Sequence, residues 1–209
     1  MRKEEIIEIF RLLKKEYPDA TCSLDFATPF EMMIAVMLSA QCTDERVNKV
    51  TKEFFPLYHT PADFADMPLE QIENLIHSCG FYHNKAKNMK LASQKVLKDF
   101  NGEIPQTMEE LMTIPGVGRK SANVILLEVF GIAKGIAVDT HAKRLSNRIG
   151  LSKQNDPEKI EQDLLKIFPH KYLKEINHLF IWHGRNTCMA RGAKCDNCTI
   201  RQYCKNKVS

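Results

Sequence analysis

Several things are scarce in this chain of 209 residues, and each scarcity excludes something. Long apolar runs are missing. The longest, Phe30 to Leu38, is interrupted by Glu31 and falls far short of the roughly 20 residues that a bilayer-spanning helix needs. A leader is missing too: Met1-Arg2-Lys3-Glu4-Glu5 runs straight into an amphipathic pattern, with no apolar stretch or small-residue cleavage site. The expectation is a soluble, intracellular protein with no membrane partner. Nine Gly and nine Pro are too few for a fibrous or low-complexity chain. Strand-like alternation is almost absent, since Gly135-Ile136-Ala137-Val138 is short and serves equally as a connector. No internal repeat or long linker is visible.

A large excess of one charge is also lacking, because the formal net charge is only +4. The total conceals a pattern. Residues 80–100, 111–150 and 188–209 each carry +4, so the rest of the chain sums to −8. Such segments are either solvated helix faces or basic patches that meet phosphates.

What is abundant is cysteine. Seven is an odd count, which with no leader argues against a disulfide framework. Cys22, Cys42 and Cys79 are scattered and read as small core residues. Cys188, Cys195, Cys198 and Cys204 fall in the last 22 residues, in a basic segment poor in apolar side chains. Four thiolates there would staple a segment that cannot fold alone. By spacing, zinc is a serious candidate, although the two Cys-x2-Cys knuckles of many zinc modules are absent.

Helical periodicity covers most of the chain. Ile6, Ile7, Ile9, Phe10, Leu12 and Leu13 mark one face of a first helix, and Phe30 to Leu38 reads as a buried central one. Thr43, Thr60-Pro61 and Asp156-Pro157 are helix starts, and Thr107 with Glu110 reads as a capping box. Asn101-Gly102 ends the lysine-rich helix before it. The reading is all-α, with about ten helices and short loops.

Leu111-Met112-Thr113-Ile114-Pro115-Gly116-Val117-Gly118-Arg119-Lys120-Ser121-Ala122 joins two helical patterns. Pro115 resists continuing a helix, the glycines allow a tight turn without Cβ atoms, and Val117 can point back into the core. Such a turn presents backbone N–H groups at the start of the next helix, an anion site. Lys120 lies in that helix's first turn. There it is either a solvated phosphate contact or, if burial and the dipole lower its pKa, a nucleophile. Asp139, in Val138-Asp139-Thr140-His141, is either a helix N-cap or a carboxylate that takes a proton from Lys120 and steadies a cationic sugar. His141 is either a helix-start contact or part of that site.

The hairpin with Lys120, then Val138-Asp139-Thr140-His141, then the four terminal cysteines resembles the endonuclease III family of DNA repair glycosylases, whose hairpin is a helix-hairpin-helix motif. The resemblance extends to Leu38-Ser39-Ala40-Gln41 and Gly80-Phe81-Tyr82 and covers essentially the whole chain. It implies two helical domains flanking a DNA-binding cleft: 22–133, a helical barrel with the hairpin, and 1–21 plus 134–209, carrying a C-terminal iron–sulfur loop. It implies a [4Fe–4S] cluster on Cys188, Cys195, Cys198 and Cys204. The partner it implies is damaged double-stranded DNA, bound by a monomer in the cytoplasm at the nucleoid. The activity is a bifunctional N-glycosylase/AP lyase acting on oxidised pyrimidines, with Lys120 and Asp139 catalytic.

Relatives that excise adenine lack the lysine, so Lys120 carries the lyase reading. The alternatives are a mismatch or adenine glycosylase of the same superfamily, or a non-catalytic hairpin DNA-binding protein with zinc. Because a base must leave the stack to be reached, Gln41 at a helix start is the implied plug and Phe81 the implied wedge. Taken singly, those two residues read as a surface amide and a core aromatic. Phe81, Cys42 and His83 depart from common family choices. Backbone contacts are expected from Pro115, Gly116, Val117, Gly118, Arg119 and His141, and from Arg191, Lys194 and Arg201 on the metal loop.

Overall fold

The structure, a computed structural model, describes residues 1–206. Among them lie eleven α-helices, three short 3-10 turns and no strand. Gly135 to Val138 is a connector. The backbone divides into two compact units, Ser23–Ile132 and Met1–Cys22 with the chain from Ala133 onward.

The first unit holds α2 (Pro29–Leu38), α3 (Asp44–Phe54), α4 (Pro61–Asp66), α5 (Leu69–Ile76), α6 (Tyr82–Phe100), α7 (Met108–Leu111) and α8 (Arg119–Phe130). Helix α2 starts because Thr28 accepts the Glu31 N–H and Pro29 presets the first helical φ. Every residue from Phe30 to Leu38 is buried, against α8, α3 and α6. Each fully buried Met, Ile or Leu there stabilises by about 1.5–3 kcal/mol. The one carboxylate in the run, Glu31, accepts the Ala27 N–H at 2.5 Å. Helices α4 and α5 pack on α6, which ends at left-handed Asn101 and Gly102.

Thr43 and Thr60 cap α3 and α4 as the sequence predicts. At Thr107 only half of the expected box forms. Its hydroxyl accepts the Glu110 N–H, but the Glu110 carboxylate takes the Thr107 hydroxyl proton instead of the Thr107 N–H.

The other unit holds α1 (Lys3–Glu16), α9 (Thr140–Ile149), α10 (Pro157–Ile167) and α11 (Leu173–Asn186), followed by the cysteine segment. Helix α11 packs on both α1 and α9. Gly184 permits the second contact, because a Cβ there would lie 2.6 Å from His141 Nδ1 and 2.9 Å from His141 Cβ. Asp139 and Asp156 cap α9 and α10.

Candidate nucleic-acid interface and metal centre

The hairpin runs from α7 to α8. Gly116 is left-handed (φ +82), and a Cβ on it would meet Met37 Cε at 2.8 Å and Asn88 Cβ at 3.0 Å. Conformation and space both demand glycine. Val117 is buried and donates its N–H to Ile114 O at 3.0 Å, so it pins the turn as expected. Gly118 differs from the expectation. Its φ of −94° suits any residue, and a Cβ there would meet nothing within 4 Å. The turn does not need this glycine; a Cβ would only project into the open space before α8. No side chain caps α8.

This contrast gives a paired prediction. Gly116→Ala should lower stability by about 1–3 kcal/mol, through overpacking and a strained φ. Gly118→Ala should change stability by less than about 0.5 kcal/mol. Denaturant unfolding of both variants checks this, and equal losses would refute the assignment.

Gln41 and Phe81, distant in sequence, line one pocket together with Gly116, Met37, Ala40, Asn84, Lys85 and Asn88. Gln41 does not start a helix. It sits in the α2–α3 loop, two residues before the Thr43 cap, in a left-handed conformation (φ 54). Phe81 is left-handed too (φ 59) and caps α6. It is 64% exposed, so its reading as a core aromatic fails. A bulky non-glycine residue in this conformation, with its ring in water, is locally unfavourable. His83, two residues on, pairs with Glu73 at 2.9 Å.

Lys120 is exposed at the second position of α8, not buried as the nucleophile reading expected. The helix start holds it at the surface of its unit. Arg119 beside it and Pro115 in the turn are half-buried. Asp139 is half-exposed, and its Oδ1 accepts the Ala142 N–H at 2.7 Å. His141 packs under Gly184 and accepts a hydrogen bond at Nδ1 from Arg144 Nη2 at 3.0 Å. Burial holds the His141 pKa below the usual histidine range, against the opposing charge of Asp139.

The four C-terminal cysteines line a single hollow, together with Leu145, Ile149, His183 and Ile200. Two 3-10 turns, Cys195–Asn197 and Arg201–Tyr203, bring them together. Arg148 fixes the start of the segment: it donates to Cys188 Sγ at 3.3 Å, to Met189 O at 2.7 Å and to Ala190 O at 3.3 Å. Arg144 donates to Cys188 O at 3.0 Å and to Gly184 O at 2.8 Å. His183 is fully buried, with Nε2 3.6 Å from Cys198 Sγ and Nδ1 3.2 Å from the Tyr17 hydroxyl. Burial drives its pKa down to about 4 and pushes the Cys198 thiol up to about 11. Among the described residues, no three His, Cys, Asp or Glu side chains converge as ligands to one ion.

Arg191 and Lys194 are exposed on this segment. Arg201, expected to face phosphates, is paired with Asp196 at 2.8 Å. Sequence reading missed Arg144, Arg148, His183 and Tyr17. The only signal was the spacing of Arg144 and Arg148, which puts both on one face of α9 with His141. Of the scattered cysteines, only Cys79 is a core residue. Cys22 and Cys42 are half-exposed because both lie in loops.

Comparison with known proteins adds an independent line. The model of the HhH-GPD superfamily base excision DNA repair protein family matches residues 34–170. The chain is 50% identical to an endonuclease III of Synechocystis sp. over 203 residues, covering 97% of this chain and 93% of that one. It is 40% identical to the Escherichia coli endonuclease III over 207 residues, 99% of this chain and 98% of that one. A trapped endonuclease III–DNA covalent intermediate superposes with a TM-score of 0.94 at 42% identity, covering 98% of this chain and 96% of that one. A thermostable thymine-DNA glycosylase, at 19% identity and a TM-score of 0.87, shares the fold.

Proposed function

The chain belongs to the HhH-GPD superfamily of base excision DNA repair proteins, and from that premise we propose a bifunctional DNA N-glycosylase and AP lyase that excises oxidised pyrimidines from duplex DNA. The observation that carries the reading is the hairpin. Its open, uncapped helix start at Gly118 leads directly to an exposed lysine at Lys120. Backbone N–H groups there can hold a phosphate without reading sequence. The covalent DNA intermediate named for a structural relative supports a nucleophilic mechanism.

The proposed roles follow from the chemistry. The Lys120 amine attacks C1′ of the extruded nucleotide, and the base leaves with the bonding electron pair. Asp139 takes the proton that Lys120 sheds and steadies positive charge on the sugar. The C1′–O4′ bond then opens, O4′ taking a proton, to give a Schiff base that acidifies C2′; loss of the C2′ proton and of the 3′ phosphate completes β-elimination. Gln41 and Phe81 occupy the gap left by the extruded nucleotide, whose unstacking costs a few kcal/mol. Pro115, Gly116, Val117, Gly118, Arg119, Arg191 and Lys194 serve the DNA backbone. His141 braces the start of α9 behind Asp139.

The donor set and hollow at Cys188, Cys195, Cys198 and Cys204 fit a [4Fe–4S] cluster. Four soft thiolates line one hollow, and an Arg148 N–H already points at the Cys188 sulfur. When bound, the cluster supplies a covalent cross-link among the four thiolates. The Arg191–Lys194 stretch between Cys188 and Cys195 is thereby held in place. A monomer acting in the cytoplasm at the nucleoid completes the reading.

The test is borohydride trapping on duplex DNA containing thymine glycol or an abasic site. A covalent protein–DNA adduct is expected, and its absence on both substrates overturns the lyase. Metal analysis of anaerobically purified protein should find about four iron and four labile sulfide per chain. A zinc-loaded, iron-free protein overturns the cluster.

A further inference from the structure

Cys42 and Cys79 are free thiols that the proposed reaction does not use. They come from different loops. Cys42 follows Gln41 between α2 and α3, and Cys79 stands two residues before Phe81 between α5 and α6. The fold brings the two loops together: Gln41, Phe81 and Lys85 line one pocket, and the Cys42 side chain bears on that of Cys79. Lys85 stands against both. It is itself buried and fixed, donating to Leu38 O at 2.9 Å. The surroundings of the two thiols differ. Cys42 is half-exposed, while Cys79 is fully buried. Burial pushes the Cys79 thiol up to about 11, against the opposing charge of Lys85.

This asymmetry suits an attacking thiol and a resolving thiol. Reaction with a small oxidant needs solvent access. Cys42 has that access, and Cys79 lies buried. A bond between the two would join the loop that carries Gln41 to the loop that carries Phe81.

We propose that Cys42 and Cys79 form a reversible regulatory disulfide, made by a peroxide, that pins the Gln41 and Phe81 loops together and suppresses productive DNA engagement. The Cys42 thiolate attacks a peroxide oxygen, forming sulfenic acid and releasing hydroxide. Cys79 gives its proton to that hydroxide and attacks the Cys42 sulfur, expelling a second hydroxide that leaves as water. Two thiols and one hydrogen peroxide thus become one disulfide and two waters. A dithiol reductant reverses the change. The regulatory half rests on the proposed roles of Gln41 and Phe81, whereas formation of the bond does not.

The experiment uses the full-length, metal-loaded protein. It is treated with limiting hydrogen peroxide, alkylated and digested without reduction, and incision of abasic-site duplex is measured before oxidation, after it, and after dithiothreitol. The expected result is a Cys42–Cys79 linked peptide two hydrogens lighter than the free pair. Incision should fall about tenfold, as for a loop that must move to close on its substrate, and dithiothreitol should restore it. In Cys79→Ala the oxidised and reduced forms should incise alike. The proposal is overturned if no linked peptide forms, or if Cys42 ends as sulfinic acid or oxygen-bridged to Lys85. It is also overturned if the linked protein incises normally, or if Cys79→Ala loses activity equally on oxidation. A reduced protein that incises nothing would refute the enzymatic reading instead, and the peptide map would still decide the disulfide.

Discussion

Replacing Lys120 with glutamine is expected to abolish the borohydride-trapped adduct and to cut strand incision by at least about 10³-fold, the scale of losing a covalent nucleophile. The prediction is sharp because the side chain has nothing structural to lose. Lys120 is exposed in the first turn of α8, and among the described residues it makes no hydrogen bond or ion pair. Removing a cation from a helix N-terminus stabilises, if it does anything, by about 0.3–1 kcal/mol. The melting temperature should therefore hold or rise slightly, and affinity for duplex carrying an uncleavable abasic analogue should change little. A trapped adduct that survives in Lys120→Gln would transfer the nucleophile role to another amine and overturn the assignment of Lys120, while the lyase chemistry would stand.

How much of this was legible in the sequence depended on range. Caps at Thr43, Thr60, Asp139 and Asp156 could be read because each is settled within four residues. Gly116 could be read because a hairpin with Pro115 and a left-handed glycine has few alternatives. The half-formed box at Thr107 was not, since which donor takes the carboxylate is a matter of local geometry. The bracing of the cysteine segment was illegible. Arg144 and Arg148 reach partners about 40 residues away, and Tyr17 meets His183 across 166 residues. No local pattern encodes such a meeting. The exposure of Phe81 was illegible for another reason. Residue type predicts burial from average behaviour, and functional positions are where that average is overridden.

Asp139 separates a structural role from a chemical one, and its substitutions are expected to divide accordingly. Its Oδ1 accepts the Ala142 N–H at 2.7 Å and starts α9. Asparagine and serine are comparable N-cap residues, so Asp139→Asn and Asp139→Ser should keep stability within about 0.5 kcal/mol, whereas Asp139→Ala should lose about 0.5–2 kcal/mol. Activity should sort differently. All three variants lack the carboxylate proposed to receive the Lys120 proton, so all three should lose about 10²–10⁴ in incision rate, the range for a general acid–base group. His141 reports on the same change. Burial, the larger effect, already holds its pKa below the usual range, and the Asp139 charge opposes that. Removing the charge should lower it further, so that in Asp139→Asn His141 stays neutral to a lower pH than in the wild type, by NMR titration. If Asp139→Asn and Asp139→Ser incise like the wild type while only Asp139→Ala is impaired, the carboxylate is a cap and nothing more. The proton from Lys120 must then be taken by another group or by water held at the DNA.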